Sequence, residues 1–172
     1  SLLQDQKNRV EHGIVADSIE RTLSVFSEEL DCPDTPILLK NRHIQHLYTP
    51  ITAHLKEDVT LFQLIEKLHP TPALGGEPKQ LAVDAIQEIE TFERGWYGSP
   101  VGWMNGQDDG EFIVAIRSGL FTERAVILYA GCGLVEGSHL DSELAETETK
   151  LSPMLQALGH VGSIEKDDIY VD

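Results

Sequence analysis

The stretch "VGWMNGQDDGEFIVAIRSGLFTERAVILYAGCGLV", residues 101 to 135, decides the fold class. Its apolar runs "VGWM", "EFIVAIRSGLF" and "AVILYAGCGLV" are divided by "NGQDDG" and "TER". Short polar breaks between runs rich in β-branched and aromatic residues are the pattern of antiparallel hairpins. The spacing predicts three strands. Within the second run, alternation from Phe112 and Val114 sets Ile116 on one face and Arg117 on the other, with Ile113 and Ala115. If both faces are covered, Arg117 is a buried cation facing an anion; if the sheet is half exposed, it is a solvated arginine.

On the N-terminal side the period changes from two to that of a helix. Val10, Ile14, Val15, Ile19, Leu23, Phe26 and Leu30 recur at helical spacing and predict one helix from residue 2 to about residue 30, broken by "DCPDTP". "HIQHLYTPI" reads as a strand or extended piece ending at Pro50. "VTLFQLIEKLH" then makes a helical face, with Asp58 as its expected N-cap. "HPTPALGGEP" reads as an irregular loop, and Pro78 opens a helix carrying Leu81, Ala82, Ala85, Ile86, Ile89 and Phe92. Beyond the strands, Leu140, Leu144, Leu151, Met154, Leu155 and Leu158 mark a last helix. Three helices, three strands and a helix imply α+β rather than alternating βα units. Because the chain starts directly inside a helical pattern, it reads as the later part of a domain whose earlier part is missing.

The chain has 172 residues, 41% of them hydrophobic, enough for a real core. Cys32 and Cys132 have no paired spacing, which argues against a disulfide framework or thiolate metal site and for a reducing, cytoplasmic home. No run approaches the length of a membrane span. Against 13 basic residues stand 29 acidic ones, and a net charge of −16 argues against nucleic acid or an anionic membrane as partner. Cations inside apolar patterns therefore stand out as places for an anionic ligand.

Two helices carry carboxylates of interest. In the first, Glu11 falls about 100° from Val10, inside an apolar arc that runs from Ile14 at about 40° to Leu23 at about 220°. Burying an unpaired carboxylate is costly, so Glu11 has a cation partner, is protonated, or lies at a fraying end. In the last helix, "SELAETETK" places Glu143, Glu146 and Lys150 along one flank of the apolar stripe and Glu148 on the other. Glu146 and Lys150 are spaced for a surface ion pair. "YAGCGLV" leaves backbone N–H groups approachable by a carboxylate or phosphate.

Seven blocks in order, "RVEH" (9–12), "HLYTP" (46–50), "HPTPALGG" (69–76), "ERGWYGSPVGW" (93–103), "EFIVAIRS" (111–118), "YAGCGLVEGS" (129–138) and "ELAETETK" (143–150), resemble the chorismate-binding enzymes. Within that family "HPTPALGG" and "RGWYGSPVGW" are similar to isochorismate synthases. The resemblance implies an α+β fold with antiparallel sheets packed centrally and helices outside, of which this chain holds only the C-terminal part (1–172). It also implies a site that binds chorismate with Mg²⁺. On that resemblance Glu11 and Glu146 match direct magnesium ligands, and Glu143 one that holds the ion through water. Arg117, Tyr97 and Lys150 match positions that meet the substrate's carboxylates and enolpyruvyl group. Ala130 and Gly131, with Ala73 and Leu74, match backbone contacts, and His46 a residue lining the ring pocket.

The implied reaction adds water at C2 of chorismate and expels the C4 hydroxyl, giving isochorismate for menaquinone or siderophore synthesis. The family's general base, a lysine, and general acid, a glutamate, have no matching block in this chain, which is therefore expected to be inactive alone and to self-associate through exposed core surface. The open alternatives are salicylate or anthranilate synthesis, and a non-catalytic chorismate-binding module. The tail "GSIEKDDIYVD" carries no recognisable chemistry.

Overall fold

The computed structural model describes residues 2–40 and 45–159. The tail "GSIEKDDIYVD" and residues 41–44, which include the start of "HIQHLYTPI", lie outside them. After a short 3-10 turn, Leu2–Gln4, helix α1 runs over Gln6–Phe26. Asp5 caps it by accepting a hydrogen bond from the Asn8 backbone at 2.9 Å. The cap puts Glu11 in the second turn, away from the end. The helix stops earlier than the spacing predicts. Its continuation, Ser27–Asp31, is strand β1, where Leu30 pairs with Ala53 of β4 (Thr52–Leu55) in an antiparallel ladder. Ser27 marks the switch: its side chain is buried and its hydroxyl donates to the Leu23 carbonyl at 2.8 Å.

Strand β2 (Ile37–Lys40) pairs antiparallel with β3 (Gln45–Tyr48), setting Leu39 opposite His46. Helix α2 covers Leu61–Leu68. Its cap is Thr60 rather than Asp58: Thr60 and Gln63 exchange side-chain to backbone hydrogen bonds in a capping box, while Asp58 turns the preceding corner with φ 71°. The Pro-rich segment expected to be irregular contains one helical turn, α3 (Pro72–Gly75), which Pro72 can start because the first turn needs no donor. Helix α4, Lys79–Ile89, follows Pro78 as expected but ends before Phe92.

The opening stretch forms four strands where three were expected. Strand β5 (Pro100–Met104) pairs with β6 (Gly110–Val114), and β7 (Ser118–Phe121) pairs with β8 (Val126–Tyr129). The run "EFIVAIRSGLF" breaks at its middle because Arg117 has φ 49°, a left-handed conformation that ends extended pairing, so simple alternation does not set its direction. Helix α5, Leu140–Ala157, closes the described chain.

The fold is α+β, with the β structure of the described residues in four two-stranded antiparallel sheets. Helix α1 is the spine, packing against α2, α3 and β1, while α5 rests on β8. Among the described residues only Leu23 and Leu64 are buried apolar side chains, and Trp96, Leu134 and Leu140 are each more than 70% exposed. No described helix is long and apolar enough to cross a membrane.

Candidate active site

The site is built where α1, α5 and the loop after β8 meet. Lys7, one turn before Glu11 on α1, forms a hydrogen-bonded ion pair with Glu143 of α5, 136 residues away in sequence. The same ammonium lies 3.5 Å from Glu11 Oε1. Glu11 thus has the cation partner that its place in an apolar arc requires. Glu143 is only 4% exposed. Lys7 holds its carboxyl below the usual range against the opposing effect of burial, with Cys132 and Ser138 adding to that stabilisation. Glu143 in turn pushes Lys7 up. Satisfaction is incomplete: Glu11 Oε1 and Glu143 Oε2 are buried and make no hydrogen bond among the described residues.

Glu146 stands apart from this pair. Its side chain is 48% exposed and bonds Lys150 at 2.7 Å, the i, i+4 pair that the sequence spacing allows. Lys150 also donates to the Gly131 carbonyl at 3.0 Å, tying α5 to the loop after β8. Thr147 fixes the same loop through its contact with the Cys132 sulfur at 3.7 Å.

The loop is tight at Gly131 and has room for an ordinary contact at Gly133. A Cβ at Gly131 would come within 3.0 Å of the Tyr97 hydroxyl, and one at Gly133 within 3.9 Å of Glu11 Oε2. The Gly131 to Gly133 backbone therefore lies between Tyr97 on one side and the Glu11 carboxylate on the other. Tyr97 stacks on Tyr129, ring centroids 5.4 Å apart and planes 14° from parallel. Burial, the main influence, raises its pKa above the ordinary tyrosine value.

The geometry thus joins Glu11 and Glu143 at Lys7 beside the loop that carries Gly131 and half-buried Ala130, and Glu146 reaches that loop only through Lys150. The other expected residues are outside these direct contacts. Arg117 is half-buried and makes no ion pair among the described residues, leaving its guanidinium free for an anion. His46 is half-buried in β3, and Ala73 is exposed in α3. Leu74 connects indirectly: its carbonyl accepts from Arg94 at 2.8 Å, and its side chain packs beside Gly98, next to Tyr97.

Sequence reasoning missed two cations. Arg94 grips Glu90 through two hydrogen bonds of 2.6 and 2.7 Å and anchors Leu74, so its role is structural. Lys7 is legible only as an i, i+4 partner of Glu11, and no local pattern points it at Glu143. A cavity of about 470 Å³ meets the cluster only at Tyr97; Leu74, Glu90 and Arg94 line its other walls. Its volume therefore does not mark the carboxylate cluster.

The donor set can be tested against a divalent ion on its own chemistry. Carboxylate oxygens suit Mg²⁺, which keeps several waters and needs few protein ligands. Among the described residues no three carboxylate, imidazole or thiol side chains converge into a complete ligand shell. The two buried oxygens without hydrogen bonds are the feature that fits such an ion, with substrate and water completing it.

The family model described as chorismate binding enzyme matches residues 1–159. The chain belongs to that family. Among its relatives, isochorismate synthase MenF of Bacillus subtilis is 53% identical over 158 residues, covering 92% of this chain and 34% of that protein. The salicylate biosynthesis isochorismate synthase of Pseudomonas aeruginosa is 44% identical over 166 residues, 96% of this chain and 35% of that one. In three dimensions this chain matches the crystal structure of DhbC from Bacillus anthracis with a TM-score of 0.88 and 37% identity, over 93% of this chain and 43% of that one. It also matches anthranilate synthase component I of Streptococcus pneumoniae with a TM-score of 0.75 and 25% identity, over 89% and 36%. The chain spans about a third of the length of the first two relatives.

Proposed function

We propose that this chain is the C-terminal part of a single isochorismate synthase domain, holding the metal ligands and part of the carboxylate-binding site but not the acid–base pair. The observation that carries the reading is the meeting of Glu11 and Glu143 at one ammonium, beside the loop that Tyr97 and Lys150 also touch. In this reading Glu11 and Glu146 hold Mg²⁺ directly and Glu143 holds it through water. When bound, the ion supplies positive charge that neutralises a substrate carboxylate and these glutamates together.

The chain's own groups then bind and orient. Tyr97, kept protonated, donates a hydrogen bond to a substrate oxygen. Arg117, free of any partner among the described residues, takes a carboxylate, and Lys150 meets the substrate from the α5 side. The Ala130 and Gly131 backbone approaches the ligand closely because position 131 has no side chain. His46, with Ala73 and Leu74, lines the rest of the pocket. Addition of water at C2 and loss of the C4 hydroxyl need a base and an acid that this chain does not supply, so it does not turn over chorismate alone. The proposal covers service to either menaquinone or siderophore synthesis.

A chimaera tests this reading: the matching 158 residues of Bacillus subtilis MenF are replaced by the corresponding segment of this chain, and chorismate is supplied with Mg²⁺, with and without ammonium. Isochorismate as product, abolished by Glu146→Gln and by Arg117→Ala, is the expected outcome. Salicylate or anthranilate would reassign the product, and a folded chimaera that binds no chorismate would sink the reading. Isochorismate made by the 172-residue chain alone would overturn the claim of inactivity.

A further inference from the structure

The carboxylate cluster contains its own cation. Lys7 Nζ lies between Glu143, with which it is hydrogen-bonded, and Glu11 Oε1 at 3.5 Å. One positive charge serves two carboxylates there, and a buried oxygen on each makes no hydrogen bond. The space occupied by the ammonium is the space in which an ion and its waters would reach both groups. Lys7 can leave: its side chain is 33% exposed, close to the 29% of Glu11 and well above the 6% of Glu143, and of the three it has the longest stem, four carbons ending in a strongly hydrated head.

We propose that Lys7 is a built-in counter-ion that holds the Glu11–Glu143 site together without metal and must be displaced when a divalent cation binds. The inference rests on the reading of these glutamates as metal ligands. It differs from a surface ion pair in what removal of Lys7 does. Taking away a structural pair loosens the ligands and weakens metal binding, whereas taking away a competitor removes a contact that the ion has to break. Lys7→Met keeps the length and apolar stem and deletes only the charge.

The experiment is calorimetric titration of the protein with Mn²⁺ after treatment with chelator, for the unaltered chain, Lys7→Met and Glu143→Gln. Lys7→Met is expected to bind Mn²⁺ about fivefold more tightly, on the scale of a partly exposed ion pair that no longer has to be broken. Glu143→Gln is expected to bind it more weakly than the unaltered chain. A second measurement needs no variant: the acetylation rate of Lys7, followed by mass spectrometry, should rise severalfold when Mg²⁺ is added, as the ammonium is released to solvent. Mn²⁺ binding that is unchanged or weaker in Lys7→Met, or a Lys7 labelling rate indifferent to Mg²⁺ in a chain that does bind metal, overturns the counter-ion role while leaving the ligand assignment standing. Failure of the unaltered chain to bind Mn²⁺ even with chorismate present overturns both.

Discussion

Leu64→Ala and Leu81→Ala, made separately in the 172-residue chain, test how its apolar surface is distributed. Leu64 on α2 is 9% exposed and is one of two buried apolar side chains among the described residues; Leu81 on α4 is 71% exposed. Truncating a buried leucine costs the transfer of three carbons plus the cavity left behind, about 2.7 to 5 kcal/mol in well-packed cores. The neighbourhood of Leu64 is thinly covered and can relax, so the lower end applies, about 2 to 3 kcal/mol. At about 2 to 4 °C per kcal/mol for a chain of this size, Tm falls by about 5 to 10 °C. Leu81 already lies in water, and Ala is as good a helix former, so its truncation shifts stability by less than about 0.5 kcal/mol. Urea melts followed by circular dichroism, with thermal melts beside them, separate the two. Equal losses would refute the reasoning, because they would mean that the exposed face is covered in solution by something that packs like a core.

Other outcomes follow from single contacts. Thr60→Ala removes the capping box of α2 and should cost about 1 kcal/mol, while Asp58→Ala, outside that cap, should cost clearly less in the same urea melts. Gly102→Ala would put a methyl group 2.0 Å from the Glu111 carbonyl in the β5–β6 ladder, and should destabilise by about 2 to 3 kcal/mol or splay the hairpin, visible as lost amide protection. Burial, with a smaller effect of Lys79, lowers the pKa of His69 below its ordinary 6.5. A group whose proton is disfavoured by folding makes stability complete above 6.5 and lowers it as pH falls through that value towards the folded one; NMR titration of His69 checks the direction, and a pKa at or above 6.5 contradicts it.

What the sequence made legible follows the range of the forces involved. Helix α5 and the start of α4 come from local periodicity and a proline, and both stand where expected. Strand β1 was hidden because Phe26 and Leu30 fit a helical spacing as well as a strand, and only pairing with β4, a contact distant in sequence, chooses between them. Likewise the two-residue period through "EFIVAIRSGLF" assumes an unbroken strand, and one residue at positive φ cancels it. Of the site, Glu11 was conspicuous as a carboxylate in an apolar arc. That it shares a cation with Glu143 is beyond any local pattern, and the resemblance alone pointed across that distance.

Arg117 carries a consequence of a different kind. Its backbone holds a conformation that costs a side chain about 1 to 2 kcal/mol and a glycine nothing comparable, while its guanidinium, unpaired among the described residues, is the group proposed to meet an anionic ligand. The corner between the two hairpins is therefore pulled two ways. A sturdier chain favours glycine there, and the proposed ligand binding favours arginine. Arg117→Gly should make the molecule harder to unfold and poorer at its task, a position where robustness and activity are exchanged one for the other.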